Sequence, residues 1–199
     1  MTESVPKKQD GRRLRSAASR RRIVEAMRDL IREGVISPRA EEVAARADVG
    51  LRTVFRHFDD METLNREIAA LALFEVAPML DLPAPSGTLE ERLETMVDRR
   101  AKLFEKLMPF RISADVNMHR SAYLREDRNR MNAAIREATR AALSDELRKD
   151  RTLLEAVDAV LSFDFWHRLR NEQNLSIAQA KRVMEMTARA LLLAPREKR

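Results

Sequence analysis

Apolar residues recur along this chain at spacings of three and four, the period of a helix with one buried face. Ile23, Ala26, Met27, Leu30 and Ile31 form the first such stripe, with Ser19 placed to cap it and Gly34 to stop it. Ser37–Pro38 predicts a second start, serine at the cap and proline at the first helical position, for a short helix to about Arg46 that presents Val43, Ala44 and Ala47. Asp48–Val49–Gly50 reads as a tight turn, and LRTVFRHF, residues 51–58, as a third helix. Asp59 and Glu62 predict the start of a fourth, with Leu64, Ile68, Leu71 and Phe74 along one side. Pro78, Pro83, Pro85 and Gly87 interrupt the pattern near residues 78–87. Beyond them the spacing predicts helices at about 88–107, 109–118, 121–148, 151–170 and 176–194. No segment alternates as a strand does and no fixed-period repeat occurs, so the expected fold class is all-α. Residues 1–18 are expected to form a disordered arm, 19–77 one domain and 78–199 a second, larger one.

The third predicted helix carries the most specific chemistry. At ~100° per residue, Leu51, Val54, Phe55 and Phe58 fall in one stripe and Arg52, Thr53, Arg56 and His57 on the opposite side. The apolar stripe is expected to anchor the helix to helices one and two. The polar face carries two guanidiniums, a hydroxyl and an imidazole, which suit base edges and phosphates of a DNA major groove. An amphipathic surface helix often has such a face without touching nucleic acid. The context here is a short helix, a tight turn and another short helix, with small Ala44 and Ala47 allowing close approach, which is a helix-turn-helix arrangement.

Composition and charge narrow the classes. The chain has 199 residues, 44% of them hydrophobic, with four glycines and 5% aromatics, a balance that favours helices with an aliphatic core. It has no cysteine, which excludes disulfides and cysteine-based zinc sites and suits a reducing cytoplasm. No apolar run is long enough for a membrane span, and the basic N-terminus lacks the apolar segment of a secretory signal. Cytoplasmic localisation is therefore expected. The net charge of +6 is concentrated in residues 1–22, where Lys7, Lys8, Arg12, Arg13, Arg15, Arg20, Arg21 and Arg22 meet only Glu3 and Asp10. Such a segment fits a solvated tail or a phosphate-seeking arm.

The run IVEAMRDLIREG, followed by SPRAEEVAARADVGLRTVFRHFDDMETL, resembles the N-terminal domain of the tetracycline-repressor (TetR) family of transcription regulators. Ile23 to Gly34 resembles its first helix. Val43–Ala44, Ala47, Val49, Thr53–Val54–Phe55, His57–Phe58 and Leu64 match its pattern over about residues 20–65. The rest of the chain matches only in helical layout, and residues 161–193 resemble the last two helices of many members. The resemblance implies an all-α homodimer, with an N-terminal helix-turn-helix domain and a larger helical ligand-binding and dimerisation bundle. It implies a repressor released from a palindromic double-stranded DNA operator by a small-molecule effector. By position, Arg39 would meet a phosphate. Leu51, Arg52, Thr53 and Arg56 would face base edges, and Phe55 and His57 would lie against the DNA backbone. Three departures stand out: Phe55 where tyrosine is usual, Met61 where a lysine usually meets phosphate, and Asp48 in place of a turn glycine. Residues 23–76 are net −4, so the basic arm is expected to compensate, for example in the minor groove.

In the second half, Leu154, Val157, Leu161, Val183, Met184, Thr187 and Leu191 line long apolar faces. They fit packing within one subunit, or the pairing with a second copy that the resemblance implies. Met96, Phe104, Phe110, Met118 and Tyr123, closed by Trp166, fit either plain core or a ligand cavity, with Asn117, His119 and Tyr123 as its polar groups. Asp115/His119 and Asp164/His167 have helical spacing for paired metal ligands, but neither makes a site alone, and no metal or cofactor is implied. With three histidines, no cysteine nucleophile and no glycine-rich phosphate loop, no constellation proposes a reaction, and the chain is read as a non-enzyme. The alternative to a DNA-binding regulator is a helical protein-interaction module with a basic arm and no sequence-specific DNA binding.

Overall fold

The structure is a computed structural model and describes residues 9–193. Among the described residues every regular element is helical: α1 (Gln9–Arg32), α2 (Ala40–Arg46), α3 (Leu51–His57), α4 (Met61–Leu80), α5 (Leu89–Met118), α6 (Ala122–Ala142), α7 (Asp145–Arg148), α8 (Arg151–Val160), α9 (Phe163–His167) and α10 (Ile177–Leu193). A π-helical turn, Arg168–Glu172, continues α9. The chain divides into two compact units. Unit 1 holds the residues up to Ala72 with Pro109–Leu124, and unit 2 holds Leu73–Met108 with the residues from Arg125. The expected division at residues 77/78 had no return of 109–124 to the first unit.

Unit 1 closes around Ile23, Met27, Ile31, Val43, Val54, Phe58, Leu64 and Ile68, all buried. α1 begins at Gln9 rather than at Ser19. The arm is therefore helical from Gln9 onward, and its Lys7 and Lys8 lie outside the described residues. The physical reason is that extending a nucleated helix adds one bond per residue, and arginine, alanine and leucine propagate well. Gly34 ends α1 as expected. It sits at φ 95°, its N–H donates to Ile31 O at 3.0 Å, and Val35 N–H donates to Leu30 O at 3.0 Å. The same device ends α2 on a residue other than glycine. Asp48 takes φ 51°, its N–H donates to Ala45 O at 3.2 Å, and Val49 N–H donates to Ala44 O at 3.1 Å.

Two helix starts differ from the sequence reading. α2 begins at Ala40, after Pro38, and the cap is formed by Arg39 N–H donating to Glu42 Oε2 at 2.7 Å. α4 is capped by Asp60 rather than Asp59: its Oδ1 accepts from Thr63 N–H at 2.7 Å and from the Thr63 hydroxyl at 2.8 Å. These bonds hold the Asp60 carboxyl below the usual carboxylate range.

Unit 2 is built around Val97, Leu103, Phe104, Val157, Leu161, Trp166, Ala180 and Met184. The interruption expected near residues 78–87 lies between α4 and α5, but the one expected at Pro109 is absent. α4 runs through Pro78 to Leu80, and α5 runs through Pro109 to Met118. A proline removes one ladder bond, which packing on both sides can outweigh. Conversely, two predicted long helices are broken. α6 ends at Ala142 and α7 starts anew at Asp145. The stretch 151–170 breaks at Leu161–Ser162, where Ser162 Oγ accepts from Phe165 N–H at 3.2 Å and caps α9. Asp150 caps α8 through Leu153 N–H at 3.0 Å. α10 starts on a reciprocal box, in which Ser176 Oγ accepts from Gln179 N–H and Gln179 Oε1 accepts from Ser176 N–H at 2.9 Å.

Candidate nucleic-acid interface

The α2–turn–α3 hairpin positions the candidate site. Val54 and Phe58, each 1% exposed, seat α3 on the unit 1 core. The helical wheel is rotated relative to the sequence reading. Leu51 is 38% exposed and Phe55 45%, so neither anchors the helix as the stripe predicted. Both stand on the outer face beside exposed Arg52 and Arg56. Thr53 and His57 are half-buried on the flank. In a seven-residue helix between two turns, which apolar side chains face inward is decided by the partner helices rather than by local spacing.

The outward face is therefore mixed: two guanidiniums alternate with an aliphatic and an aromatic side chain. That set can donate bidentate pairs to guanine and pack on thymine methyls. His57 plays a different part from the one its chemistry suggested. Its Nε2 is sealed from solvent with no hydrogen-bond partner, so only the other ring nitrogen can reach a phosphate. Burial, helped by the charges of Arg56 and Arg20, pushes its imidazole below the ordinary histidine value. This favours the neutral imidazole.

Several arginines of unit 1 are committed to other groups. Arg20 pairs with Glu67 and lies over the Phe58 ring at 4.6 Å, so this member of the basic segment braces the core. Arg28 pairs with Asp29 at 3.0 Å, Arg46 with Glu33, and Arg66 with Glu62 at 2.6 Å. Arg32 stacks 5.7 Å over Phe110. Arg39, at the exposed start of α2, and Arg52 and Arg56 on α3 make no ion pair among the described residues. Arg12, Arg13, Arg15, Arg21 and Arg22 are exposed on α1, with Arg22 3.9 Å from Asp48. Pairing was not readable from the sequence, because partners such as Arg20 and Glu67 are 47 residues apart. Met61 packs half-buried on the core instead of offering a cation.

The remaining candidates separate. Of the proposed ligand residues, Met96, Phe104 and Trp166 lie in unit 2, and Asn117, His119 and Tyr123 in unit 1. Phe104 and Trp166 are fully buried core, and Trp166 Nε1–H is satisfied by Glu105 Oε1 at 2.9 Å. His119 is exposed, and Arg66 lies 5.8 Å over the Tyr123 ring. Met96 alone of the six lines a described cleft. Of the proposed dimer residues, Leu154, Val157, Leu161 and Met184 are buried in the unit 2 core, where the inward faces of α8 and α10 meet. Val183, Thr187 and Leu191 are half-buried. Exposed Met186, Ala190 and Leu193 lie beyond them on the outer face of α10. Phe74, expected on the packed side of α4, is 78% exposed. Among the described residues no group of three or more histidine or acidic side chains could hold a metal, and no helix is long and apolar enough to cross a membrane.

Compared with solved structures, the chain is similar to the crystal structure of a candidate TetR-family transcriptional regulator from Mesorhizobium loti MAFF303099. The TM-score is 0.63 at 21% identity, over 89% of this chain and 96% of that chain. The likeness is one of fold: an all-α chain with an N-terminal helix-turn-helix and a helical bundle, as the sequence resemblance implied. No protein-family model and no curated protein sequence matches the chain.

Proposed function

We propose that this chain is a DNA-binding transcription regulator of the TetR type, and that it represses from a palindromic operator until a small-molecule effector releases it. The observation that carries the reading is the selective commitment of arginines in unit 1. Arg39, Arg52 and Arg56 lack ion pairs and are exposed on the α2–α3 hairpin, while Arg20, Arg28, Arg46 and Arg66 are engaged. Leu51, Arg52, Thr53 and Arg56 read base edges in this proposal, and Arg39 and Phe55 meet the backbone. The exposed arginines at the start of α1 add phosphate contacts and offset the acidic balance of residues 23–76.

The working unit is a homodimer in the cytoplasm, because two helix-turn-helix units must hold a fixed separation to reach successive major grooves. Its interface is the outer face of α10, with Val183, Thr187, Met186, Ala190 and Leu193, in place of the inward residues that spacing alone suggests. The effector occupies unit 2 and shifts the population between states with different recognition-helix spacing.

The test is selection of bound duplexes from a random pool by the purified full chain at near-physiological salt. Enrichment of a palindrome, with half-sites about one helical turn apart, is the expected result. Binding with no enriched sequence favours the interaction-module alternative.

A further inference from the structure

Unit 2 buries a cation that makes no ion pair among the described residues. Arg100 is 6% exposed. Its Nη2 donates to Ile135 O at 2.6 Å and to Thr139 Oγ1 at 3.4 Å, both neutral acceptors on α6. Its Nε is sealed and has no partner. Among the described residues no carboxylate lies within ion-pair distance of it. The acid that acts on it, Asp158, is already 3.4 Å from Arg136, and burial pushes the Asp158 carboxyl upward. Burial pushes the Arg100 guanidinium down to about 10, which leaves it charged at neutral pH. Arg170 of the same unit shows the usual solution: Glu105 receives its Nε at 2.8 Å and its Nη2 at 3.2 Å. An unpaired interior cation is costly and is normally matched by an anion.

Arg100 and Arg99 line a cleft that is otherwise apolar, formed by Met79, Leu80, Met96, Leu103, Ala138 and Ala141 with the strap Leu82–Pro85. Ala138 and Ala141 leave the room on the α6 side. The cleft is about 60 Å³, against ~300–1,000 Å³ for usual ligand pockets. The strap is lightly held. Pro83 and Pro85 have no N–H to donate, and the bond at its middle is Arg99 Nη1 to Pro83 O at 2.6 Å. Gly87 follows at φ 102°, where a Cβ would meet the Glu91 carboxylate. Displacing the strap therefore breaks few bonds and opens apolar surface beside an unpaired guanidinium.

We propose that this cleft takes a monocarboxylate with an apolar chain, its carboxylate on Arg100 and its chain under the displaced strap. Arg100 is the buried cation of the cleft and matches one negative charge, while Arg99, which also lines it, is half-exposed and donates to Pro83 O. The proposal rests on the reading of unit 2 as the effector-binding part and supplies the effector's chemical class.

The experiment is calorimetric titration of the full chain, without DNA, with octanoate, octanol and octylamine. Octanoate is expected to bind, with octanol at least about tenfold weaker and octylamine weaker still. Arg100→Met is expected to erase the preference for octanoate over octanol. Ala138→Phe, which fills the cleft and keeps Arg100, is expected to block octanoate, and it decides the matter if Arg100→Met does not fold. Failure of octanoate to bind, equal binding of octanoate and octanol, or an unchanged octanoate affinity in either folded variant overturns the proposal. Because the titration contains no DNA, a selected palindrome alongside absent octanoate binding overturns this inference alone. Octanoate binding without any enriched duplex overturns the regulator reading alone.

Discussion

Arg52 and Arg100 are both guanidiniums without a carboxylate, and they differ in what surrounds them. Arg52 stands exposed on α3, where water already solvates its charge. Arg100 is enclosed by unit 2, where two neutral acceptors on α6 receive its Nη2 and its Nε has no partner. The first can wait for a partner at almost no cost to folding, so its removal should change binding and leave stability alone. The second carries a desolvation penalty in the free protein, so its removal should change ligand preference and leave stability unchanged or raised. Unpaired charge thus means different things at a surface and in a core, and the two positions give separable experiments.

The largest effect should come from the residue that holds the exposed face in place. Phe58→Ala should cost about 3–5 kcal/mol in denaturant unfolding and abolish operator binding, since Phe58 is 1% exposed beneath α3 and Arg20. A loss under about 1 kcal/mol would show that α3 is not seated on Phe58. Next, Arg52→Ala and Arg56→Ala should each cost about 1–3 kcal/mol of operator affinity in a binding isotherm. Their unfolding midpoints should stay within about 0.5 kcal/mol of wild type. Arg100→Met should show the reverse pattern: unchanged or raised stability and unchanged operator affinity without effector. A clear loss of stability would mean that its bonds to α6 outweigh its desolvation.

Smaller effects are expected at the surface. Replacing Arg12, Arg13 and Arg15 with glutamine should flatten the salt dependence of DNA affinity, by up to about 0.9 in log–log slope for each phosphate no longer neutralised. An unchanged slope would remove α1's first turns from the interface. Asp48→Gly should stabilise the chain by about 1 kcal/mol in thermal unfolding, because Asp48 occupies the left-handed region at φ 51°. For His57, burial lowers the folded-state value below the unfolded one. Between those values the unfolded chain holds more protons. The contribution to stability is therefore present at neutral pH and lost as pH falls through about 6.5 toward the folded value. His57→Gln should remove that part of the acid-side decline.

Helical period sufficed for the α1 stripe, Ile23 to Ile31, and for the Gly34 stop, since both are local and every choice there agrees with its neighbours. It failed where an outcome depends on partners distant in sequence. Leu51 and Phe55 share a wheel sector with Val54 and Phe58, yet only the latter pair meets the core. Leu154, Val157, Leu161 and Met184 have the spacing of an interface, but the same spacing serves the inward face of a subunit. Ser162 reads as one polar residue in a helical run, and only its bond to Phe165 N–H marks a break. For Arg100 the sequence offers no signal, because its isolation is defined by which acids fail to reach it.

The central claim is that the α3 face reads sequence rather than charge. The measurement that tests it most directly is the affinity ratio between the selected palindrome and a scrambled duplex, for wild type and for Arg52→Ala/Arg56→Ala at one salt concentration. Wild type should discriminate strongly between the two duplexes, and the folded double variant should give a ratio near one. A double variant that keeps the wild-type ratio while losing affinity equally on both duplexes would contradict it and reassign the two arginines to phosphate.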